Sequence, residues 1–361
     1  MLCDDHMNSG LDPAAEICAL KTKKATWRGV SGMLSRPFSI IFPVRQKLTG
    51  VAAQMTFVYI FVLLIAGEGS LGAQSVQTGH YAPGWNGNLK AGMMAPDPGF
   101  YMQSTTMFFN ARKFKDGSGD TASSDETDYV LSALALVWRP DFKLFGGDYQ
   151  AVVTPAFGNL SGIPVLIDGE PQDAPVGFTD MFFSPIGLGW HWSEFHLVTA
   201  LGAFAPTGKY DFGESDNTGL GFWTVMPFTL GTFRTQRGIF EDLPLLATGG
   251  VFYEIHSNQQ GRDFRPGDSF TFEWSLGLEF TERTSFGLSG FFYRQVNDPS
   301  GSDAVPVDKY RSNGIGLTLS QAIGPVNLNL RGYQDFDVRN GPEGTLVYFD
   351  IAWGWPKNKN D

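Results

Sequence analysis

The chain has 361 residues, of which 17% are charged and 14% aromatic, with 44 glycines and a formal net charge of −11. This acidic balance, without a basic patch, argues against a nucleic-acid-binding protein. Low charge with many aromatic and glycine residues is less typical of a soluble enzyme than of a membrane β-barrel, where aromatic side chains gather at the membrane surfaces.

The first 73 residues are interpreted as an N-terminal extension and a secretory signal peptide. Arg45 and Lys47 precede an apolar run, Val51–Gly67, and small residues follow it. Basic, apolar and small residues in this order are typical of such a signal. The apolar core is shorter than the roughly 20 residues of a comfortable membrane span. We expect cleavage near Ala73; the alternative is an uncleaved N-terminal anchor helix.

The rest of the chain divides into a lead-in, a barrel and a short tail. Residues 74–99 are rich in Pro and Gly, which predicts a lead-in or plug-like segment without a strand. Twelve strands are predicted within 100–355, each long enough to cross a bilayer at a tilt. They are 100–114, 127–142, 147–158, 177–192, 194–205, 219–232, 246–256, 269–281, 284–295, 312–322, 326–336 and 345–355. Residues 356–361 form a polar tail.

The clearest predicted strand is Ser269–Phe280, in which large apolar side chains alternate with small or acidic ones. Successive side chains of a strand point to opposite faces, so one face is apolar and the other polar. We expect the apolar face to contact lipid and the polar face to line a lumen. The strands before residue 177 alternate less cleanly, and their registers are less well determined.

The connections favour a membrane barrel over a soluble sandwich, whose strands would also alternate. Long and short predicted connections mostly alternate along the chain, as in outer-membrane barrels, which have short periplasmic turns and longer outer loops. Asp337–Gly344 is among the predicted long loops, and Phe233–Leu245 breaks the alternation. The predicted fold class is therefore all-β, a transmembrane antiparallel up-and-down β-barrel of about 12 strands in a single domain.

Polar and aromatic side chains with the inward parity are the candidate lumen lining. They are Glu273, Glu279, Arg331, Tyr333, Tyr348 and Asp350, together with Phe291 and Tyr293. Charges inside a barrel tune its selectivity, and aromatic side chains offer contacts to an apolar solute. The alternative for Arg331 is that it pairs with a carboxylate across the lumen and simply fills a narrow barrel.

Eight stretches, in order along the chain, resemble the family of the MetA pathway of phenol degradation. They are His80–Gly84, Pro98–Gly119, Phe183–Trp192, Ala205–Asp211, Asn217–Pro227, Gly267–Leu278, Gly287–Gly301 and Asp337–Phe349. The resemblance implies a Gram-negative outer-membrane β-barrel that acts as a transporter or channel for aromatic compounds. The chain departs from the pattern at its end, where PKNKND follows Trp355 in place of a terminal aromatic residue. This tail could weaken recognition by the assembly machinery.

These observations predict a porin-like outer-membrane channel for a small hydrophobic or aromatic solute, working by passive or facilitated diffusion. Its expected partners are outer-membrane lipid and the assembly machinery, and we expect no cofactor, metal ion or catalytic residue. One alternative is a structural or adhesive barrel that acts through its extracellular loops. Another is an outer-membrane hydrolase that uses His191 and His196. The acidic loop Lys115–Asp128 lacks the ligand spacing of a calcium loop, so a solvated loop is preferred.

Overall fold

The structure is a computed structural model, which describes residues 79–124, 126–158, 176–214, 216–238, 243–304 and 308–357. The predicted N-terminal extension and signal peptide lie outside these residues, as do positions 358–361 of the polar tail. Among the described residues there is no helix long and apolar enough to span a membrane.

Twelve antiparallel strands close into a barrel. They are β1 (Gly99–Lys115), β2 (Thr127–Arg139), β3 (Gly147–Thr154, continued by Ala156–Gly158), β4 (Gly177–Phe178 and Met181–His191), β5 (Phe195–Ala205), β6 (Thr224–Arg234), β7 (Leu245–His256), β8 (Ser269–Thr281), β9 (Thr284–Gln295), β10 (Arg311–Ile323), β11 (Val326–Arg339) and β12 (Gly341–Pro356). Each pairs with its neighbour in the chain, and β1 also pairs with β12 from Gly99↔Pro356 to Lys115↔Gly341. Such closure leaves no edge and satisfies the backbone internally, as lipid requires. The predicted fold class is confirmed.

Two ends of the barrel can be distinguished by their connections. The short-turn end contains the start of β1, the end of β12 and the tight β4–β5, β8–β9 and β10–β11 turns. The opposite, long-loop end contains the longer connections that follow β1, β3, β5, β7 and β9. Two further short strands, Thr121–Ser123 and Lys143–Leu144, extend the sheet at the long-loop and short-turn ends respectively.

The barrel is apolar outside and polar inside along β8, as its sequence predicts. Leu276 is 47% exposed, whereas Glu273 on the opposite parity is 1% exposed and faces the interior. Burying small or polar groups while large apolar side chains face outward would be unfavourable for a sheet in water. The pattern is therefore that of a strand with lipid on its outer face.

Large aromatic side chains are exposed near both rims of the barrel. At the short-turn end they include Phe100, Trp138, Trp192, Phe195 and Trp355, and at the long-loop end Phe178, Trp223 and Phe336. Aliphatic side chains such as Leu288, Ile315 and Leu317 are exposed between the two groups. Aromatic girdles flanking an apolar band mark the two membrane–water interfaces of transmembrane barrels.

The β11–β12 connection is shorter than predicted. In place of the expected loop Asp337–Gly344, only Asn340 separates the two strands, with a φ of 52°. Asn tolerates this left-handed conformation better than most residues. The two strands stop pairing with each other after Gln334↔Thr345, but they continue along their outer neighbours β10 and β1. The sequence correctly predicts a turn here, but the residues on either side of Asn340 remain in the sheet.

The start of β6 was also predicted too early, at residue 219 instead of Thr224. Gly221 adopts a φ of +72°. The backbone N–H of Gly219 donates to the carbonyl of Lys209, and the backbone N–H of Leu220 donates to the Asp180 carboxylate. These contacts take the backbone out of the strand ladder. The stretch therefore folds as part of the long-loop end.

Candidate functional site

Residues Gly79–Pro98, here called the inner segment, lie inside the barrel without forming a strand. At the long-loop end the Gly79 amide donates to the Tyr293 hydroxyl, 3.3 Å away. At the short-turn end the Lys357 amide donates to the Pro98 carbonyl at 2.8 Å. The inner segment therefore runs along the length of the lumen before β1 begins.

Glu273 is the central anchor of the inner segment. Its carboxylate accepts hydrogen bonds from the Tyr81 hydroxyl (2.7 Å), the Gly84 amide (2.6 Å) and the Asn86 amide (2.9 Å). Buried carboxylates are costly unless their oxygens are hydrogen-bonded, and here three donors meet that need. The carboxylate that was predicted to line the lumen holds the backbone of the inner segment.

Two more glutamates hold the inner segment on either side of Glu273. Glu254 accepts from the backbone amides of His80 (2.7 Å) and Tyr81 (2.9 Å) near the long-loop end. Glu279 pairs with Lys90 (3.0 Å) near the short-turn end and also with Arg234 of the wall (2.9 Å). The three anchors follow the segment from one end of the barrel to the other.

The backbone carbonyls of the inner segment are also bound by the wall. The Tyr348 hydroxyl donates to the Pro83 carbonyl at 2.7 Å. The Ser289 hydroxyl donates to the Gly87 carbonyl at 2.9 Å and lies 2.7 Å from the Tyr333 hydroxyl. These contacts come from β9, β11 and β12, so one side of the barrel carries much of the binding surface for the segment.

Gly84 fits closely against Tyr333, which predicts a measurable cost of adding a methyl group. Its φ is +90°, and a Cβ would lie 2.8 Å from the ring of Tyr333. We expect Gly84→Ala to add about 1–3 kcal/mol of overpacking to the left-handed strain of about 1–2 kcal/mol. Gly213→Ala is the matched control, because Gly213 has a φ of +88° but open space around its Cβ position. Heat-modifiable gel mobility should show a lower unfolding temperature for Gly84→Ala than for the control; equal temperatures would contradict the packing.

Arg331 and Asp350 form a fully buried ion pair on the same side of the lumen. Two guanidinium nitrogens of Arg331 bond to the two carboxylate oxygens of Asp350, one of them at 3.0 Å. The guanidinium also lies 5.2 Å from the ring centre of Tyr348. Arg331 therefore pairs with a carboxylate of the adjacent strand β12, whereas the alternative considered from the sequence placed the carboxylate across the lumen.

All eight predicted lumen residues are buried on the inner faces of β8, β9, β11 and β12. Phe291, Tyr333 and Tyr348 pack in one cluster, beside the Arg331–Asp350 pair. Glu273 and Glu279 bind the inner segment, and the Tyr293 hydroxyl accepts a hydrogen bond from the Gly79 amide. None of the eight borders the open cavity described next. Their part in solute passage stays a prediction.

A cavity of about 670 Å³ lies on the other side of the inner segment, against the inner faces of β1–β6. Most of the surface that lines it is apolar, and the lining residues include Leu131, Ala133, Val152, Val198, Met226 and Leu230. Polar side chains such as Gln103 and Gln150 also border it. It extends from His80 and Asp180 near the long-loop end to Tyr101 and Pro356 at the short-turn end. The lumen is thus divided into a polar side that holds the inner segment and an apolar side that remains open.

This apolar side was not identified from the sequence, although the sequence carried a signal for it. In β2, Leu131, Ala133 and Val137 face the cavity, while Leu136 and Trp138 are exposed on the outer face. Where both faces of a strand are apolar, the alternation disappears. The weak register predicted for β2 therefore has a physical cause in its apolar lumen face.

The two rim histidines contact each other across the short β4–β5 turn. Their Nδ1 atoms are 2.9 Å apart, and His191 Nε2 lies 3.9 Å from Asp148. In the described part of the chain, neither imidazole hydrogen-bonds to a serine hydroxyl. The nucleophile–base contact that a hydrolase needs is not formed at His191 or His196.

The acidic loop after β1 is organised as a turn. Asp116 Oδ1 accepts from the amides of Ser118 (3.0 Å), Gly119 (2.9 Å) and Asp120 (2.9 Å). The hydrogen bond from the Ser118 side chain, more than any other contact, lowers the pKa of Asp116. One carboxylate oxygen capping its own turn is the arrangement of a solvated loop. Asp125 of this loop lies outside the described residues.

Residues 111–351 match the protein family described as "Putative MetA-pathway of phenol degradation". The chain belongs to this family. The match covers most of the barrel, from the upper part of β1 to the middle of β12. A comparison with curated protein sequences gave no match.

Among solved structures, this MetA-pathway family member is similar to the COG4313 outer membrane channel from Pseudomonas putida F1. The TM-score is 0.60 at 14% identity, over 76% of this chain and all of the other. The β domain of the Bordetella autotransporter BrkA matches with a TM-score of 0.39 and 9% identity, over 71% of this chain and all of the other. The first similarity supports the barrel fold of bacterial outer-membrane proteins.

Proposed function

We propose that this protein is an outer-membrane channel through which small hydrophobic or aromatic molecules diffuse passively. The observation that carries the proposal is the apolar cavity between the inner segment and β1–β6. Its volume of about 670 Å³ is within the range of ligand sites, which are mostly apolar with a few polar groups. A single-ring aromatic compound would exchange water for Leu, Val, Ala and Met contacts along this wall.

The family description adds a chemical direction to this proposal. Phenol-like compounds combine an apolar ring with one polar group. The cavity combines apolar side chains with polar ones, which include Thr179 and Asp180 at its long-loop end and Gln103 and Gln150 nearer its short-turn end. We also infer export to the outer membrane of a Gram-negative cell, with cleavage near Ala73, insertion by the assembly machinery and lipid contact over the outer apolar band.

A structural or adhesive barrel is the second candidate, and one observation favours it. The Arg331–Asp350 pair and the inner segment fill the polar side of the lumen, as expected if the loops were the working part. The two candidates differ in the cavity on the apolar side. A purely structural barrel gains nothing from an unfilled space, because interior voids reduce stability.

Solute uptake by intact cells separates the two candidates. Gram-negative cells with and without the protein would be given a radiolabelled monoaromatic compound or a sugar of similar mass. We expect expression to raise the uptake rate of the aromatic compound by about tenfold, equivalent to 1.4 kcal/mol, with little change for the sugar. Phenol should also reduce single-channel currents of the purified protein in planar bilayers. A folded, membrane-inserted protein that changes neither measurement would contradict the channel.

A further inference from the structure

Three buried side chains with metal-binding groups meet at the long-loop end of the lumen. His80 belongs to the inner segment, whereas Glu254 and His256 project inward from β7. One potential ligand atom from each lies within 4.8 Å of the other two, and all three residues are at least 96% buried. This cluster joins the inner segment to the wall.

His80 is oriented as metal-ligating histidines commonly are. His80 Nε2 lies 2.9 Å from the Asp180 carboxylate, which leaves Nδ1 directed toward Thr224 Oγ1 at 2.7 Å. His256 Nδ1 approaches the same hydroxyl at 2.8 Å. Two imidazole nitrogens thus face the Thr224 hydroxyl, which lies between them. A carboxylate bound to the far nitrogen of a histidine fixes the ring and makes the near nitrogen a better ligand.

The charge around this point calls for a cation. Glu254 and Asp180 are both buried, and within the described ranges neither has a Lys or Arg nitrogen within 4.0 Å; the ionisable group beside Asp180 is the His80 imidazole, which is charged only when protonated. Glu254 accepts from backbone amides and from the Ser269 hydroxyl, which solvates the carboxylate without neutralising it. Unpaired buried charges are strongly unfavourable. His256 Nε2 is also buried and has no hydrogen-bond partner among the described residues.

We propose that His80, His256 and Glu254 bind a zinc-class divalent metal ion. Two imidazole nitrogens and a carboxylate oxygen form a common ligand set for zinc, with bonds of about 2.0–2.2 Å. Ligand pairs around one ion are therefore at most about 4.4 Å apart, so the three side chains would have to move closer together and the Thr224 hydroxyl would have to rotate away from between the imidazoles. Asp180 is a positioning residue that acts through His80. The ion would clamp the inner segment to the barrel wall.

Isothermal titration of the mature protein with zinc chloride tests the proposal. The protein would be purified in detergent, treated with a chelator and dialysed before titration. We expect one saturable zinc per chain that is lost in the His80→Ala and His256→Ala variants. Asp180→Asn should weaken binding by about 10–100-fold, as for other residues that orient a ligand. Magnesium should not compete, because it favours all-oxygen ligands.

The rim histidines provide a matched control within the same protein. A double variant, His191→Ala with His196→Ala, also loses two imidazoles but should keep the zinc site. Heat-modifiable gel mobility establishes that each variant is folded. Glu254→Gln is a further variant, in which the side-chain amide oxygen can still accept hydrogen bonds from the inner segment. The proposal is overturned if the folded wild-type protein shows no saturable zinc binding. It is equally overturned if binding survives in His80→Ala and His256→Ala but is lost in the rim variant.

Discussion

Replacing Val198 by tryptophan is expected to lower aromatic-compound uptake by about tenfold or more. Val198 lies on the inner face of β5, is 4% exposed and borders the apolar cavity. An indole in this position would occupy space that a single-ring solute needs. Each 1.4 kcal/mol that this obstruction adds to the barrier of passage lowers the uptake rate about tenfold. Initial uptake rates in intact cells at equal protein levels would measure the effect.

Val225→Trp is the matched control for this substitution. Val225 lies on the neighbouring strand β6 but faces outward and is 42% exposed. The same indole on the lipid-facing surface should leave uptake unchanged, since aromatic side chains are tolerated there. If both variants take up the solute at the wild-type rate, the path does not run through the cavity. If both lose uptake equally, the effect comes from a general disturbance of the barrel.

The barrel itself could be predicted because lipid and water impose a strict alternation on its strands. Ser269–Phe280 shows this rule clearly, and its polar parity faces inward as expected. Strand number followed from the same rule combined with turn signals. The rule fails where the interior is apolar, as in β2, because both faces then carry similar side chains. The open side of the lumen is therefore the side that the alternation rule predicts least well.

The role of the inner segment could not be derived from periodicity at all. Its Pro- and Gly-rich sequence forms no strand, so no repeating pattern relates His80 or Gly84 to the wall. Many of its contacts join residues more than 170 positions apart, such as His80 with Glu254. Parity alone identifies Glu273 and Arg331 as inward-facing residues, but the partners that occupy their hydrogen bonds come from tertiary packing. Predicting which lumen residues are free to meet a solute requires those partners.

Replacing Glu273 by alanine is expected to loosen the inner segment and open a wider pore. The change leaves the Tyr81 hydroxyl and the amides of Gly84 and Asn86 without their acceptor. Each buried donor left unsatisfied costs about 1–3 kcal/mol. Even a total of about 3 kcal/mol shifts the balance between docked and displaced segment roughly a hundredfold. Single-channel recordings should then show an open state of larger conductance than that of the wild type, and the channel should spend much of the time in this state.

Glu279→Ala removes a carboxylate from the same strand and should have a smaller effect. Its partners Lys90 and Arg234 are about one-third exposed, so water can solvate them once the carboxylate is gone, and exposed pairs contribute little. A large open state in Glu273→Ala but not in Glu279→Ala would show that the buried centre of the segment controls the lumen. Wild-type conductance in both variants would instead mean that the hydroxyls of Ser289 and Tyr348 suffice to hold the segment against the wall.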